Sequence, residues 1–239
     1  MKKIILFDLY DTILRDISFD FNAGIKWLYD TYFAKHCTWE ELKAYVETFL
    51  PLFEKRKEDN SEVCLIRDEV VKVFEKFDVA LPEDLEELEY AMMNRIQKET
   101  LLDEVHETLE ELQKQGIPMY ILSNSIFTGK ITERLLEDFC ILKYFKKVYA
   151  SADYGVRKPG GKFFDIAIEE IKENHPGMDK REMLYIGNDY LTDVQGAKAA
   201  GLDVVWYNRM QFSDEKGICT FNIARFHEIL EVLKFFFWN

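Results

Sequence analysis

Lys3-Ile4-Ile5-Leu6-Phe7-Asp8-Leu9-Tyr10-Asp11-Thr12 opens with an apolar run that ends on a carboxylate. Ile4 to Phe7 is short, β-branched at its start and lacks polar–apolar alternation, as in a strand buried on both faces of a parallel sheet. Asp8 then falls at the carboxyl end of that strand, where open α/β sheets place their ligands. By itself, Asp8 reads either as a nucleophile or metal ligand or as a cap for the following turn, because Asp is a common turn residue.

Working outward, the character of the chain changes twice. From about Asp16 to Thr100 there is almost no glycine, and apolar residues recur at helical spacing, as in Phe21, Ile25, Leu28 and Tyr32. Thr38 and Glu41 form a capping box that opens a helix through Leu42, Val46, Phe49 and Phe53. Asn60 or Ser61 is expected to start a third helix, and Pro82 to sit in the first turn of a fourth, Leu85 to Gln97. No strand is expected in this stretch. From Asp103 onward, helices alternate with apolar runs at 118–122, near Val148, at 183–187 and at 203–207. That alternation implies right-handed crossovers and a parallel sheet. The expected fold is α/β, a Rossmann-like parallel sheet flanked by helices, with residues 1–15 and 101–239 as core and 16–100 as an inserted helical bundle.

Three later segments bear on Asp8. Pro118-Met119-Tyr120-Ile121-Leu122 runs into Ser123-Asn124-Ser125. Arg157-Lys158-Pro159 lies in a loop before an amphipathic helix. Leu184-Tyr185-Ile186 runs into Gly187-Asn188-Asp189, with Asp193 beyond. Together with Asp8, in this order, they resemble the four motifs of the haloacid dehalogenase-like (HAD) hydrolase superfamily, over nearly the whole chain. The helical insert after the first motif resembles the α-helical cap of one branch of that family.

The resemblance implies that Asp8 is a nucleophile forming a covalent aspartyl intermediate. It implies that Thr12 helps hold the phosphate or the nucleophile, and that Ser123 donates to a transferring phosphoryl oxygen. Asn124 and the N–H groups behind it add donors at the start of the next helix. Lys158 would keep Asp8 ionised and balance charge in the pentavalent state. Mg²⁺ is the implied cofactor, held by Asp8, the backbone carbonyl of Tyr10, Asn188 and Asp189, with Asp193 completing the acidic motif. Two positions depart from the family. Asn188 stands where an Asp is usual, and Tyr10 stands where phosphatases carry the acid that protonates the leaving group. A phenol with a pKa of about 10 is a poor proton donor at neutral pH.

The expected function is therefore a Mg²⁺-dependent phosphatase of a small phosphorylated metabolite. Tyr10 also occurs in haloacid dehalogenases, which makes dehalogenase-like carbon chemistry one alternative. A ligand-binding member without catalysis is the other. The dehalogenase pattern further asks for an early cap Arg, and none lies between Arg15 and Arg56.

Composition narrows the partners. The 239 residues carry 44 acidic and 31 basic side chains, a net charge of -13, which opposes non-specific nucleic-acid binding. Four scattered cysteines, Cys37, Cys64, Cys140 and Cys219, suit free thiols in a reducing compartment. After Met1-Lys2-Lys3, the apolar run is too short for a signal-peptide core, and no run approaches the roughly 18 apolar residues of a membrane span. A cytoplasmic monomer or homodimer without membrane association is expected. Phe235-Phe236-Phe237-Trp238 reads as a last helical turn packed on the sheet, with a dimer contact as its rival. The histidines, His36, His106, His175 and His227, fall outside the motifs and receive no catalytic role.

Overall fold

The first strand, β1 (Ile4–Phe7), is buried along its whole length. Ile4 and Leu6 face one apolar layer with Tyr120, Phe163, Phe164 and Val204. Ile5 and Phe7 face the other, with Leu109, Ile121, Val205 and Phe226. Two covered faces are why the run shows no alternation. The computed structural model describes residues 3–214 and 216–238, so Met1 and Lys2 lie outside it.

After β1 a tight turn leads into β2 (Leu14–Phe19). The inserted helices are α1 (Phe21–Leu28), α2 (Trp39–Glu47), α3 (Leu50–Asp59), α4 (Val71–Lys76) and α5 (Leu85–Ile96). They are followed by β3 (Gln97–Leu101), α6 (Val105–Lys114), β4 (Met119–Ser123), α7 (Gly129–Asp138), β5 (Phe145–Ala150) and the short α8 (Ser151–Tyr154). The chain ends with α9 (Gly161–Asn174), β6 (Met183–Gly187), α10 (Gly196–Ala199), β7 (Asp203–Tyr207), β8 (Phe221–Ile223) and α11 (Ile229–Trp238).

Six strands form one parallel sheet in the order β5-β4-β1-β6-β7-β8. The chain builds outward from β1 through β4 and β5, then returns to the other side of β1 for β6 to β8. The order therefore reverses at β1, and a crevice at the carboxyl ends of the strands is the favoured ligand position. The fold is the α/β, helix-flanked parallel sheet that the alternating pattern predicts.

Inside the insert the structure corrects several expectations. Leu14–Phe19 and Gln97–Leu101 pair as an antiparallel two-stranded ribbon, so the stretch is not wholly helical. The Thr38–Glu41 capping box is present, but its helix ends at Glu47 and a new one begins at Leu50. Pro51 lies in the first turn of α3, where its missing N–H costs nothing. No helix starts at Asn60 or Ser61, because the backbone there pairs with core loops instead. Glu62 N donates to Gly155 O at 3.0 Å, Leu65 N donates to Ile126 O at 2.9 Å, and Ser61 bridges Val156. The helix resumes with a wide π-turn at Leu65–Val70. Pro82 stands outside α5, whose N-cap is Asp84, its side chain accepting from Glu87 N at 2.9 Å. The helix expected at 192–200 opens as a π-turn, Tyr190–Gln195, before α10.

In the tail, Phe235 and Phe236 meet the Phe221 ring of β8 at 5.2 and 5.4 Å, while the side chains of Phe237 and Trp238 lie outside the described residues. All four cysteines are free; Cys64 is buried and Cys140 is exposed. No helix among the described residues is long and apolar enough to cross a membrane.

Candidate active site

Asp8 extends β1 by one rung, its N–H donating to Ile186 O of β6 at 2.8 Å. The chain then turns sharply. Leu9 O accepts from Ile13 N and Leu14 N, and Asp11 takes a left-handed conformation at φ 56°, which Asp tolerates better than most residues. This turn returns Thr12 to Asp8, and the buried Thr12 hydroxyl lies 2.9 Å from Asp8 Oδ2.

The other Asp8 oxygen faces Lys158, although 150 residues separate them. Lys158 Nζ donates to Asp8 Oδ1, Asp193 Oδ1 and Tyr185 Oη, each at 2.7 Å. An ammonium has three protons, so all of its donors are used. The lysine is only 1% exposed. Burial would lower its pKa, but Asp193 and Asp8 outweigh that and hold it above the ordinary value. Burial, and then the charge of Asp193, push Asp8 upward against the opposing pull of Lys158 and Thr12. Two buried carboxylates thus share one cation.

Tyr185 is the partner that the motif reading missed. Its hydroxyl bonds both Lys158 Nζ and Asp193 Oδ1, the latter at 2.9 Å. The available signal was a phenol inside a strand otherwise wholly apolar. Gly187 explains how Asp193 reaches back to the strand end, because a Cβ at that glycine would lie 2.5 Å from Asp193 Cγ. Gly196 plays a similar part on the neighbouring helix, lying so close to the Phe164 ring that a Cβ would stand 2.7 Å from it.

The remaining motif residues converge on the same strand ends. The register Phe7↔Ile121 brings Asp8 level with Leu122, one residue short of Ser123. Ser123 Oγ is buried, and its hydrogen bond is a long 3.4 Å contact with Asn124 O. Asn124 pins the lysine loop, Oδ1 accepting from Lys158 N at 2.8 Å and Nδ2 donating to Lys158 O at 3.0 Å. Asn188 Oδ1 lies 3.2 Å from the Thr12 hydroxyl, and its carbonyl accepts from Trp206 Nε1 at 2.8 Å. Asp189 is exposed, and its Oδ1 caps the next turn, accepting from Thr192 N at 2.6 Å, while its N–H donates to Asp193 Oδ2.

Tyr10 projects into a cavity of about 450 Å³ between the core loops and the insert. Its hydroxyl accepts from Gln97 Nε2 at 3.0 Å. Burial, assisted by Glu99 and Asp16 against the Gln97 bond, drives its pKa far up, so at neutral pH it is a neutral phenol. Asn124, Ser125, Phe127 and Arg157 complete the core side of the cavity; Phe21, Leu50, Phe53 and Arg56 face them from the insert.

The donor chemistry suits a hard cation. The Thr12 hydroxyl has one proton but faces both Asp8 Oδ2 and Asn188 Oδ1, so one of these oxygens is left under-satisfied. With the main-chain carbonyl of Tyr10, the ligand that the family resemblance implies, they would make an all-oxygen donor set of the kind Mg²⁺ takes. Among the described residues no three His, Cys, Asp or Glu side chains cluster as a metal site, so the set is mixed, one carboxylate with neutral oxygens.

A buried carboxylate–lysine pair at the carboxyl end of the central strand, where the strand order reverses, is the arrangement of a hydrolase site on a parallel α/β sheet. The family is not in doubt: the chain belongs to the haloacid dehalogenase-like hydrolases, whose pattern matches residues 5–207. It is similar to the pyrimidine 5′-nucleotidase PynA of Streptococcus pneumoniae, with 25% identity over 97% of this chain and 94% of the relative. Its fold is similar to that of the 2-haloacid dehalogenase of Pseudomonas syringae, with a TM-score of 0.69 and 21% identity over 99% of this chain and 100% of the other. The magnesium-bound structure of the HAD-hydrolase YfnB of Bacillus subtilis gives a TM-score of 0.59 at 24% identity, over 97% of this chain and 98% of that one.

Proposed function

We propose that this hydrolase is a Mg²⁺-dependent phosphatase of a small phosphorylated metabolite, acting through an aspartyl-phosphate on Asp8. The observation that carries the reading is the sharing of Lys158 between Asp8 and Asp193 at the end of the central strand, where the ammonium opposes the protonation of Asp8 that burial and Asp193 favour. A carboxylate oxygen of Asp8 attacks phosphorus, the ester P–O bond breaks, and the alcohol leaves with a proton from water. Water then hydrolyses the acyl phosphate and frees Asp8. The Ser123 hydroxyl and the first N–H groups after β4 donate to the phosphoryl oxygens, and Lys158 balances their growing charge. Asp8, Asn188 and the Tyr10 carbonyl would hold Mg²⁺, which neutralises phosphate charge when bound. The Asp189 side chain, committed to Thr192, would contribute through solvent. Relatives named for phosphate-ester hydrolysis, the pneumococcal nucleotidase among them, support the same reaction class.

Tyr10 favours a second reading, dehalogenase-like displacement of halide from carbon, because this side chain supplies no acid for an alcohol leaving group. One plate separates the two: an aryl phosphate and 2-chloropropionate, each with Mg²⁺ or with EDTA. Phosphate release abolished by EDTA is the expected result. Chloride release indifferent to EDTA would replace it with the second reading.

A further inference from the structure

Residues 60–65 of the insert run across the two core loops that carry Ser123 and Lys158. On the lysine side, Arg157 N donates to Asn60 O at 3.0 Å, Ser61 bridges Val156, and Glu62 N donates to Gly155 O at 3.0 Å. On the serine side, Leu65 N donates to Ile126 O at 2.9 Å. One short segment of the insert thus grips both loops through the main chain.

In the middle of that segment, the Glu62 side chain adds a link of another kind. It is buried, and its Oε2 accepts from Ser151 Oγ at 2.8 Å. Ser151 is buried at the start of α8, and its Oγ accepts in turn from Ser125 N at 2.8 Å. A hydroxyl has one proton to give. The other acceptor within its reach, Ser125 O, is neutral and lies at 3.1 Å, so the charged carboxylate takes the proton and the oxygen lone pairs face the Ser125 amide. Ser125 O also accepts from Ala152 N at 3.1 Å, and Ser125 Oγ accepts from Phe127 N at 3.0 Å. Ser125 is therefore fixed at its amide, its carbonyl and its hydroxyl, two residues past Ser123. Every member of the chain from Glu62 through Ser151 to Ser125 is buried.

The carboxylate is itself held in place. Arg56 Nη1 lies 2.6 Å from Oε1, Arg157 Nε lies 3.5 Å from Oε2, and Val63 N donates to Oε1 at 3.1 Å. Buried ion clusters gain little stability over apolar side chains of similar volume. What an apolar side chain cannot supply is a directed acceptor at Ser151. We propose that Glu62 is a positioning residue, acting through Ser151 and Ser125 to fix the loop on which Ser123 is presented. The same loop carries Asn124, which clamps the Lys158 peptide, so its placement passes on to the ammonium beside Asp8. The effect on phosphoryl transfer rests on the phosphatase reading; the link between insert and loop does not.

The direct test is Ser151→Ala in the full-length protein, which cuts the chain and leaves Glu62 with its arginines. Calorimetric titration with orthovanadate in Mg²⁺ reads the site without turnover, because this anion adopts the five-coordinate geometry of phosphoryl transfer. Unfolded protein would lower the stoichiometry and leave the affinity alone. Ser151→Ala should weaken orthovanadate binding roughly tenfold or more. Glu62→Gln, which keeps an acceptor and loses the charge, should lose less. The double variant should bind as Ser151→Ala does, since both changes break one chain. Unchanged affinity in Ser151→Ala overturns the proposal, and additive losses overturn the route through Ser151. Amide hydrogen exchange separates this result from the phosphatase reading. Peptides spanning residues 123–128 should exchange roughly tenfold faster in Ser151→Ala, and those of β7 should not change. Equal exchange at 123–128 overturns the link. Faster exchange in a protein that binds no orthovanadate even when unmutated upholds the link and sinks the phosphatase.

Discussion

Asn124 holds the peptide unit of Lys158 with both ends of its amide, accepting from Lys158 N at 2.8 Å and donating to Lys158 O at 3.0 Å. Its role is to fix the loop from which the ammonium reaches Asp8. Asn124→Ala should therefore lower kcat on an aryl phosphate by roughly tenfold to a hundredfold, the scale on which small misplacements act. Asn124→Asp should do at least as badly, because a carboxylate oxygen would replace the donor facing the Lys158 carbonyl. Initial rates and a thermal melt on the same samples check this. A rate that falls only in step with melting would reduce Asn124 to a fold-stabilising residue.

Tyr185 supports the same ammonium from below. Tyr185→Phe removes the hydroxyl bonded to Lys158 Nζ and Asp193 Oδ1 and leaves two buried charged groups each short of a partner. A loss of about 1–3 kcal/mol is expected, or a fall in Tm of roughly 2–12 °C for a chain of this size. Calorimetry or a denaturant melt measures it. An unchanged midpoint would mean that water takes the place of the hydroxyl at no cost.

These two residues also mark what the sequence discloses and what it hides. Asp8, Ser123 and Asp193 were legible because each follows an apolar run into a loop, and the order of such runs dictates which strand ends share a sheet edge. The parallel sheet was legible for the same reason. Tyr185 stands out as the one phenol of an apolar strand, but its partners Lys158 and Asp193 do not, because only tertiary packing brings them to its hydroxyl. The ribbon of β2 and β3 joins Leu14 to Leu101, a pairing across the whole insert that no local periodicity encodes. Arg56 and Arg157 meet through Glu62 because residues 60–65 surrender their backbone bonds to core loops, again a tertiary event. The carboxylate of Asp189 reads as a ligand from its place in the motif, yet it is engaged by Thr192.

Tyr10 supplies the sharpest chemical test. If the site transfers phosphoryl groups without a leaving-group acid, Tyr10→Asp should restore one. The cavity favours this, because Glu99 and Asp16 lie near the Tyr10 side chain and would raise the pKa of a new carboxyl. Acid–base catalysis contributes roughly 10²–10⁴-fold, so a gain of roughly tenfold or more in kcat on an alkyl phosphate is expected. Aryl phosphates, whose leaving groups need less protonation, should gain less. A flat response with both substrates would remove the phosphatase reading's account of Tyr10.

Glu69 offers a prediction about stability. It lies in the π-turn Leu65–Val70, 2% exposed, and neither of its carboxylate oxygens has a hydrogen-bond partner among the described residues. Burial, only partly offset by Lys72, pushes its pKa from 4.5 up to about 8. The folded state thus prefers the protonated acid more than the unfolded chain does. Its stabilising contribution is complete below pH 4.5, declines as pH rises, and is lost above about 8. Glu69→Gln keeps the shape without the charge, so it should stabilise the protein at pH 8 by about 2–4 kcal/mol and leave it nearly unchanged at pH 5. Urea midpoints of both proteins at the two pH values provide the measurement. A difference that does not change with pH would show that the carboxylate finds a charge partner or water when it ionises, and that its burial does not govern its titration.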